Sequence, residues 1–190
     1  GIVLENVTLP DAQETLWHCR NVRLKDVRTD NADYLFMHSE NIYIENYRQN
    51  GNYSFQYCKN VVIRNAEIHS KDAFWNSENV TVYDSLIDGE YLGWHSKNLR
   101  LVNCRISGTQ PLCYAHDLVM ENCIMADDCD LAFEYSSLHA TINSPVRSVK
   151  NPRTGSITAE SYGEIIMDEN SKEPNNCKIN LWNNQTCFSA

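Results

Sequence analysis

The 190-residue sequence lacks long apolar segments and any excess of positive charge. No run of residues is apolar for long enough to cross a membrane, and no charged-then-apolar secretion leader is present. The sequence has 16 Lys and Arg residues and 25 Asp and Glu residues, which gives a formal net charge of −9. Nucleic acids and anionic membranes require basic patches, so we expect neither as a partner. The chain starts at Gly1 within what already belongs to a repeat, and we therefore expect further sequence before it.

The sequence also lacks the cysteine and histidine spacings of metal sites and redox pairs. Its eight cysteines include no CxxC pair, and no His stands near them at zinc spacing. They are Cys19, Cys58, Cys104, Cys113, Cys123, Cys129, Cys177 and Cys187. We expect small, buried, free thiols without a metal or cofactor, which favours a reducing, cytoplasmic location.

Helical spacing of apolar residues is missing from every window of ten or more residues, and a repeat takes its place. The segment WNSENVTVYDS at 75–85 returns as WHSKNLRLVNC at 94–104, nineteen residues later. Repeats of 19 to 21 residues continue through the coils Cys19–His38, Ser39–Tyr57, Cys58–Asn76, Ser77–His95, Ser96–Tyr114 and Ala115–Tyr135. A fixed period of this length is typical of a solenoid.

Three short stretches recur in each coil, and their apolar residues alternate with variable ones as in a strand. The first holds Val22/Leu24, Ile42/Ile44, Val61/Ile63, Val80/Val82, Leu99/Leu101 and Leu118/Met120; the second holds Ile68, Ile87, Ile106 and Met125; the third holds Leu16, Phe36, Phe55, Phe74, Gly93, Leu112 and Phe133. The pattern predicts an all-β, single-stranded right-handed parallel β-helix with three short strands per coil. A leucine-rich repeat has a similar period, but its L-x-x-L-x-L-x-x-N spacing is absent.

Polar columns repeat at the same period and support this register. They are the first Asn column (Asn21, Asn41, Asn60, Asn79, Asn98, Asp117), the second Asn column (Asp26, Asn46, Asn65, Asp84, Asn103, Asn122) and a column of alternating charge (Arg20, Glu40, Lys59, Glu78, Lys97). Asn tolerates left-handed backbone angles at tight turns, and stacked amides can bond along the axis. We therefore expect these columns to be structural.

The period breaks after Tyr135, which predicts three segments. Residues 1–135 are expected to form β-helix coils. Residues 136–170, with Pro145, Pro152 and a strand at Ile165–Met167, are expected to form a last coil and a C-terminal cap, because a solenoid must cover its exposed end. Residues 171–190 are expected to form a polar tail or an arm against the outside.

The S-x-N-V-x-I-x-N pattern of the coils resembles the pectin-lyase-like right-handed β-helices. The phrases SKDAFWNSENVTVYDS, GEYLGWHSKNLRLVNC, DLAFEYS and SVKNP are more closely similar to an uncharacterised bacterial family of β-helix proteins designated a domain of unknown function. The resemblance covers most of the chain. It implies the fold and brings no assigned activity with it.

The third stretch is expected to place one row of side chains on the outside, one residue after each inward Phe. This outer row is Trp17, Met37, Gln56, Trp75, Trp94, Cys113 and Glu134, and beside it run His18, His38, Tyr57, Asn76, His95, Tyr114 and Tyr135. Trp75 and Trp94 are expected to stack on adjacent coils with His95 alongside. Indole faces next to hydrogen-bonding groups suit sugar rings. The candidate ligand-binding residues are Trp17, His38, Trp75, Trp94, His95 and Glu134.

The first functional hypothesis is a non-catalytic β-helix scaffold. Its outer Trp/His face would bind a polysaccharide, an oligosaccharide or a protein partner. Two other interpretations of the same row stay open. The chain's own arms can cover it, or it can form the interface of a homo-oligomer, where aromatic residues are also enriched.

The second hypothesis is a polysaccharide-active hydrolase or lyase. The segment ADDCDLAFEY at 126–135 is similar to the D-D-C segment of polygalacturonase-type glycosidases, which also precedes a β-helix strand. The resemblance implies that Asp127 and Asp128 would supply an acid and an activated water for inverting hydrolysis, with Glu134 or His95 as further candidates. No G-H-G or R-x-K motif follows on succeeding coils, so the non-catalytic hypothesis is favoured.

Overall fold

The computed structural model describes residues 1–182 and confirms the β-solenoid. The fold is all-β, with parallel strands stacked in about nine turns of about 19 residues per coil. Every strand pair in the described residues is parallel and joins neighbouring coils. In the same part of the chain, no helix has the length and apolar character needed to cross a bilayer.

Two sheets contain the strands of residues 1–182. The larger sheet holds β1 (Ile2–Leu9), β2 (Arg20–Thr29), β3 (Glu40–Asn50), β4 (Lys59–His69), β5 (Glu78–Tyr83), β6 (Leu86–Asp88), β7 (Lys97–Val102), β8 (Arg105–Ser107), β9 (Leu118–Met125), β10 (Ser137–Ile142), β12 (Thr154–Ala159) and β14 (Cys177–Leu181); the smaller holds β11 (Pro145–Lys150) and β13 (Ser161–Ile166). Strands β1 to β4 each span two of the stretches found in the sequence. In the next two coils the same two stretches form separate strands, β5 and β6 in one coil and β7 and β8 in the other. In the following coil β9 again spans both stretches as a single strand.

The polar columns lie in the expected register. Arg20 pairs with Glu40 at 2.8 Å across β2 and β3, and Lys59 pairs with Glu78 at 3.5 Å. In the first Asn column, each Nδ2 from residue 41 to residue 98 donates to the Oδ1 of the preceding coil at 2.9–3.2 Å. The backbone of this column is left-handed, with φ between 53 and 58°. Asn fits because it adopts this conformation at low cost and its amide bonds along the axis.

The third stretch is a run of turns and not a strand, which corrects one detail of the expected coil. Every second residue there has a left-handed backbone; Tyr34, Phe36 and His38 have φ of 58, 66 and 59°. Phe36 donates its amide to Thr15 on the preceding coil, whereas Tyr34 and His38 donate to the following coil. The left-handed conformation costs each non-glycine residue about 1–2 kcal/mol of free energy. Inter-coil hydrogen bonds and ring stacking offset that cost.

The inward columns form a continuous apolar core along the axis. Phe36 and Phe55 stack with centroids 4.8 Å apart, and Phe74 continues the stack at 5.0 Å. Among the other large, fully buried side chains of the core are Leu24, Leu35, Ile42, Ile44, Ile63, Ile68, Ile87, Leu92 and Phe133. Each contributes roughly 1.5–3 kcal/mol by leaving water, so burial between coils supplies the main stabilisation.

The cysteines of residues 1–182 are free thiols, and all but Cys19 are buried. Burial raises the pKa of Cys58 to about 12, so this thiol is protonated and unreactive at neutral pH. Its Sγ donates to the carbonyl of Phe36 at 2.8 Å, much as the Ser136 hydroxyl at the equivalent position donates to a carbonyl at 2.7 Å. Cysteine thus replaces serine within the repeat. Cys187 lies outside the described residues.

The C-terminal part continues the solenoid through both sheets. Strands β10, β12 and β14 extend the larger sheet, while β11 and β13 pair with each other. β14 lies in the segment expected as a tail or arm and pairs with β12. Arg153 and Glu173 join this region by an ion pair of 2.7 Å. Residues 183–190 of the expected tail lie outside the described residues.

Candidate functional site

The face built by the third stretches carries rings stacked along the axis. We call the residues of its turn column the ring ladder: His18, His38, Tyr57, Asn76, His95, Tyr114 and Tyr135. The ring centroids of His18 and His38 are 5.0 Å apart, those of His38 and Tyr57 are 4.7 Å apart, and those of His95 and Tyr114 are 4.8 Å apart. These distances match the spacing of neighbouring coils, because each ring occupies the same place in its coil.

Stacking turns the ring edges of the ladder toward solvent. The planes of His18 and His38 differ by 2°, and those of His38 and Tyr57 by 12°, so each ring covers a face of the next. Solvent therefore meets His nitrogens and the Tyr hydroxyl. Where the rings are stacked, the ladder therefore offers hydrogen-bonding edges and not the uncovered aromatic face on which a sugar stacks.

Trp75 and Trp94 lie on adjacent coils with His95 beside them, as expected, but the two indole planes are tilted by 30° and not stacked. The centroid of Trp75 is 5.4 Å from those of both Trp94 and His95. The edge of Tyr114 also meets Trp94 at 5.1 Å, and Trp94 Nε1 donates to the carbonyl of Gln110 at 2.7 Å. Trp94 is therefore engaged by its own chain and acts mainly in packing.

The ring ladder has one gap, at Asn76, where an amide replaces a ring. Tyr57 stacks on His38 of the preceding coil but faces Asn76 of the following coil, so its second face has no ring against it within residues 1–182. Asn76 has a φ of 52°, close to the 58° of Tyr57. Two coil spacings, roughly 9.6 Å, separate Tyr57 from the next ring of the ladder, His95. We call the surface formed by Tyr57, Trp75, Asn76 and His95 the Asn76 gap.

The Asn76 gap combines aromatic surface with neutral hydrogen-bonding groups. Trp17 and Trp94 donate their indole N–H to backbone carbonyls, but Trp75 has no such acceptor within residues 1–182. Desolvation and the nearby charge of His116 lower the pKa of His95, so its ring is neutral at pH 7 and offers one donor and one acceptor. The Asn76 amide adds one group of each kind. Such donor and acceptor pairs match the hydroxyls of a sugar.

Other members of the outer row are placed differently from the sequence expectation. Trp17 is 38% exposed, but Cys113 is only 1% exposed and lies beneath Leu131, whose carbonyl oxygen is 3.6 Å from its sulfur. Cys113 is therefore buried although it belongs to the outer row, because the following coil covers it. Glu134 has a side chain that is 14% exposed and is held by Lys150 at 3.1 Å.

A segment of the chain covers the ring ladder at Tyr135. The Tyr135 hydroxyl donates to the carbonyl of Asn170 at 3.1 Å, and the ammonium of Lys172 lies 4.3 Å from the ring centroid. The interpretation in which an arm covers the row therefore applies at this end. The ladder residues from His18 to His95 are exposed in the described part of the chain.

Asp127 and Asp128 lie in an exposed turn after β9, which the amide of Cys129 closes by donating to Ala126 at 3.0 Å. Within residues 1–182, the one side-chain contact of either carboxylate is the Cys129 thiol, 4.0 Å from Asp128. An inverting glycosidase needs two carboxyl groups on opposite sides of the sugar. Within residues 1–182, no side-chain hydrogen bond or ion pair joins Asp127 or Asp128 to Glu134 or His95, so the structure does not assemble the four residues into one site.

Sequence reasoning missed a groove of about 490 Å³ along the bend of β1–β4. Three columns line it: Asn6, Asp26, Asn46 and Asn65; Val7, Val27, Tyr47 and Ala66; and Thr8, Arg28, Arg48 and Glu67. The first of these columns contains Asp26, Asn46 and Asn65 of the second Asn column, which we expect from the sequence to be structural, together with Asn6 of the preceding coil. Each residue of the third column stands two residues after a member of the first column. Aligning the coils at that position shows the third column in the sequence.

Beside the groove, a chain of polar contacts crosses from β3 to β8. Arg48 pairs with Glu67 at 3.1 Å, and Glu67 meets His69 Nε2 at 2.7 Å. The other ring nitrogen of His69 is 3.0 Å from Asp88, whose carboxylate also accepts a hydrogen bond from Ser107. The hydrogen bond to Glu67 is the main cause that raises the pKa of His69. We call these five residues the inter-coil network.

The comparisons with known proteins identify a family without an assigned activity. The family model described as "Protein of unknown function (DUF3737)" matches residues 1–180, and the chain therefore belongs to this family. A comparison with curated proteins found no match. Within residues 1–182, no three His, Cys, Asp or Glu side chains are grouped so as to hold a metal ion.

Proposed function

We propose that this member of a family of unknown function is a binding scaffold that presents the Asn76 gap to a neutral glycan. The observation that carries the proposal is the interruption of the ring ladder, which leaves Tyr57 without a ring stacked on its second face within residues 1–182, next to the coil that carries Trp75 and Asn76. Along the stacked parts of the ladder, neighbouring rings cover one another. The gap is therefore where a sugar ring can find an aromatic face.

The groups around the gap support a sugar as the ligand. An aromatic face offers apolar contact to the C–H face of a sugar, while the Asn76 amide, the His95 ring and Trp75 Nε1 can bond its hydroxyls. All of these groups are neutral at pH 7, and the net charge of −9 disfavours a polyanion. The likeness of the repeat to pectin-lyase-like β-helices also supports a carbohydrate.

The substitution Asn76→Tyr tests the proposal by completing the ladder. Tyr occupies the equivalent positions 57, 114 and 135 with φ of 56–58°, so we expect the variant to fold. Its ring would cover Tyr57 and close the gap. A glycan array followed by isothermal titration should show affinity for the selected glycan reduced by about tenfold or more.

Two further variants locate the effect. Trp75→Ala should also weaken binding, because it removes an aromatic wall of the gap. Trp17→Ala should leave binding unchanged, because Trp17 is in the same outer row but outside the gap. Circular dichroism would check that each variant folds. A glycan bound equally well by wild type and Asn76→Tyr, or a wild type that binds no glycan on the array, would overturn the proposal.

A further inference from the structure

We infer that the groove along β1–β4 is a second carbohydrate site, suited to a linear, neutral oligosaccharide. It lies at the bend of the strands, whereas the Asn76 gap lies on the turn face, so the inference does not rest on the proposed function. The groove crosses four coils, or about 14 Å along the axis at the spacing of neighbouring strands. That length suits several linked sugars better than one.

One wall of the groove is an amide ladder with fixed orientation. Asn46 Nδ2 donates to Asp26 Oδ1 at 2.8 Å, and Asn65 Nδ2 donates to Asn46 Oδ1 at 2.8 Å. These bonds hold each amide plane, yet each Nδ2 carries a second hydrogen that the ladder does not use. All three side chains are exposed. The wall therefore repeats oriented donors and acceptors at the coil spacing.

The opposite wall consists of charged side chains that are also held in place. Arg28 donates hydrogen bonds to the Asp30 carboxylate from Nε at 2.7 Å and from Nη2 at 3.2 Å. Arg48 donates to the Glu67 carboxylate at 3.1 Å. Each guanidinium keeps further N–H groups for a ligand, since Arg carries five donors. Because these groups are ordered before a ligand arrives, less conformational entropy is lost on binding.

Charge and backbone pairing select the class of ligand. Two cations, Arg28 and Arg48, and two anions, Asp26 and Glu67, line the groove, so their formal charges cancel. An anionic ligand would have to compete with the carboxylates that already hold both guanidinium groups. The backbones of β2, β3 and β4 are each paired on both sides, so these three strands offer an extended peptide no open edge. Neutral hydroxyl groups match the remaining donors and acceptors.

Side-chain NMR of the ¹⁵N-labelled protein tests the inference in the Asn76→Tyr background, where the gap is closed. The probes are the hexasaccharides of cellulose, xylan, mannan and chitin, with hexagalacturonic acid as the acidic comparison. We expect at least one neutral probe to shift the side-chain amide signals of Asn46 and Asn65 and the Nε–H signals of Arg28 and Arg48. The double variant Arg28→Gln/Arg48→Gln should weaken that binding by about tenfold or more.

Arg64→Gln is the matched control. Arg64 is an exposed arginine of β4 that lies 3.9 Å from the ring centroid of Tyr83, outside the groove, so its loss should leave the titration unchanged. Shifts caused by hexagalacturonic acid alone would overturn the neutral class. Absence of shifts with every neutral probe, or equal affinity in the Arg28→Gln/Arg48→Gln variant, would overturn the site. Because the gap is closed throughout, these outcomes are independent of the proposed function.

Discussion

Left-handed backbone angles recur at fixed positions of the coils up to Tyr135, and they are occupied by asparagines, by inward apolar residues and by the residues of the ring ladder. Asn41 and Asn46 adopt them cheaply on the outside, where their amides bond to the preceding coil. Phe36 and Phe55 adopt them on the inside, where the left-handed conformation of a bulky residue costs free energy and the stacking of the rings offsets that cost. Asn76 stands at a position that rings otherwise fill, and this single exchange creates the gap.

The serine column at the start of the coils allows a test of buried hydroxyl groups. Ser136 Oγ donates to Leu112 at 2.7 Å and accepts from the amide of Ala115 at 2.9 Å. Ser136→Ala should lower the free energy of unfolding by about 1–3 kcal/mol, because a buried amide and a carbonyl lose their partner. Ser77 occupies the same column, but its buried hydroxyl has no partner within residues 1–182. Ser77→Ala should leave stability unchanged or raise it.

Urea unfolding of the two variants measures this difference, with the slope m checked for constancy. Ala115 is the native residue of the same column, so alanine fits the backbone there. If Ser77→Ala lowered the free energy of unfolding as much as Ser136→Ala does, the Ser77 hydroxyl would have a hydrogen-bond partner in solution, which would contradict the prediction.

At the scale of the elements, the sequence predicted the strands of the larger sheet and their register better than the turn face. Columns such as Arg20 and Glu40 repeat at the coil spacing, so aligning the coils also pairs the strands. The sequence predicts a strand for the third stretch, because alternating left-handed residues keep a two-residue pattern of side chains. The relation between Trp75 and Trp94 followed from the same alignment. Ring-plane angles and the covering of Cys113 depend on backbone angles and packing, which the alignment does not contain.

The inter-coil network makes the joint between β4, β6 and β8 sensitive to pH. Glu67 raises the pKa of His69 above 6.5, a stabilisation that is complete below pH 6.5 and lost as pH rises through the folded pKa. Hydrogen bonds, from His69 and Ser107 respectively, lower the pKa of Glu67 below 4.5 and that of Asp88 below 3.8. Both carboxylates therefore stabilise the fold at pH values above their unfolded-state pKa, and this stabilisation is lost as pH falls through their folded-state pKa. The network is therefore most stabilising between pH 4.5 and pH 6.5.

The substitution His69→Gln should accordingly lower stability more at about pH 5.5 than at about pH 8. Gln retains a hydrogen-bonding side chain but cannot carry the charge that joins Glu67 and Asp88. Urea unfolding at both pH values measures the difference. His139→Gln is the control, since His139 is exposed and bonds to Ser156 without a carboxylate. An equal loss at both pH values would show that the charge of His69 does not contribute.

At the scale of the whole molecule, each coil contacts mainly its two neighbours, so stability is close to a sum over the interfaces between coils. This organisation places the two proposed sites on different faces of one stack of coils. The Asn76 gap draws on three consecutive coils and the groove on four. A ligand at either site therefore bridges several coil interfaces, and its binding energy adds to the stability of those interfaces alone.

Hydrogen exchange of the free protein tests the nearest-neighbour description. β3 is paired on both sides, with β2 and β4, and its inward residues Ile42 and Ile44 are buried. β13 has β11 as its one strand partner within residues 1–182, and Ile165 is 46% exposed. Mass spectrometry of exchanging peptides should find the slowest exchange in β3 and much faster exchange in β13, because local opening of β13 breaks fewer interfaces. Equal protection of both strands would mean that the coils open as a single cooperative unit, and stability could not then be assigned to separate interfaces.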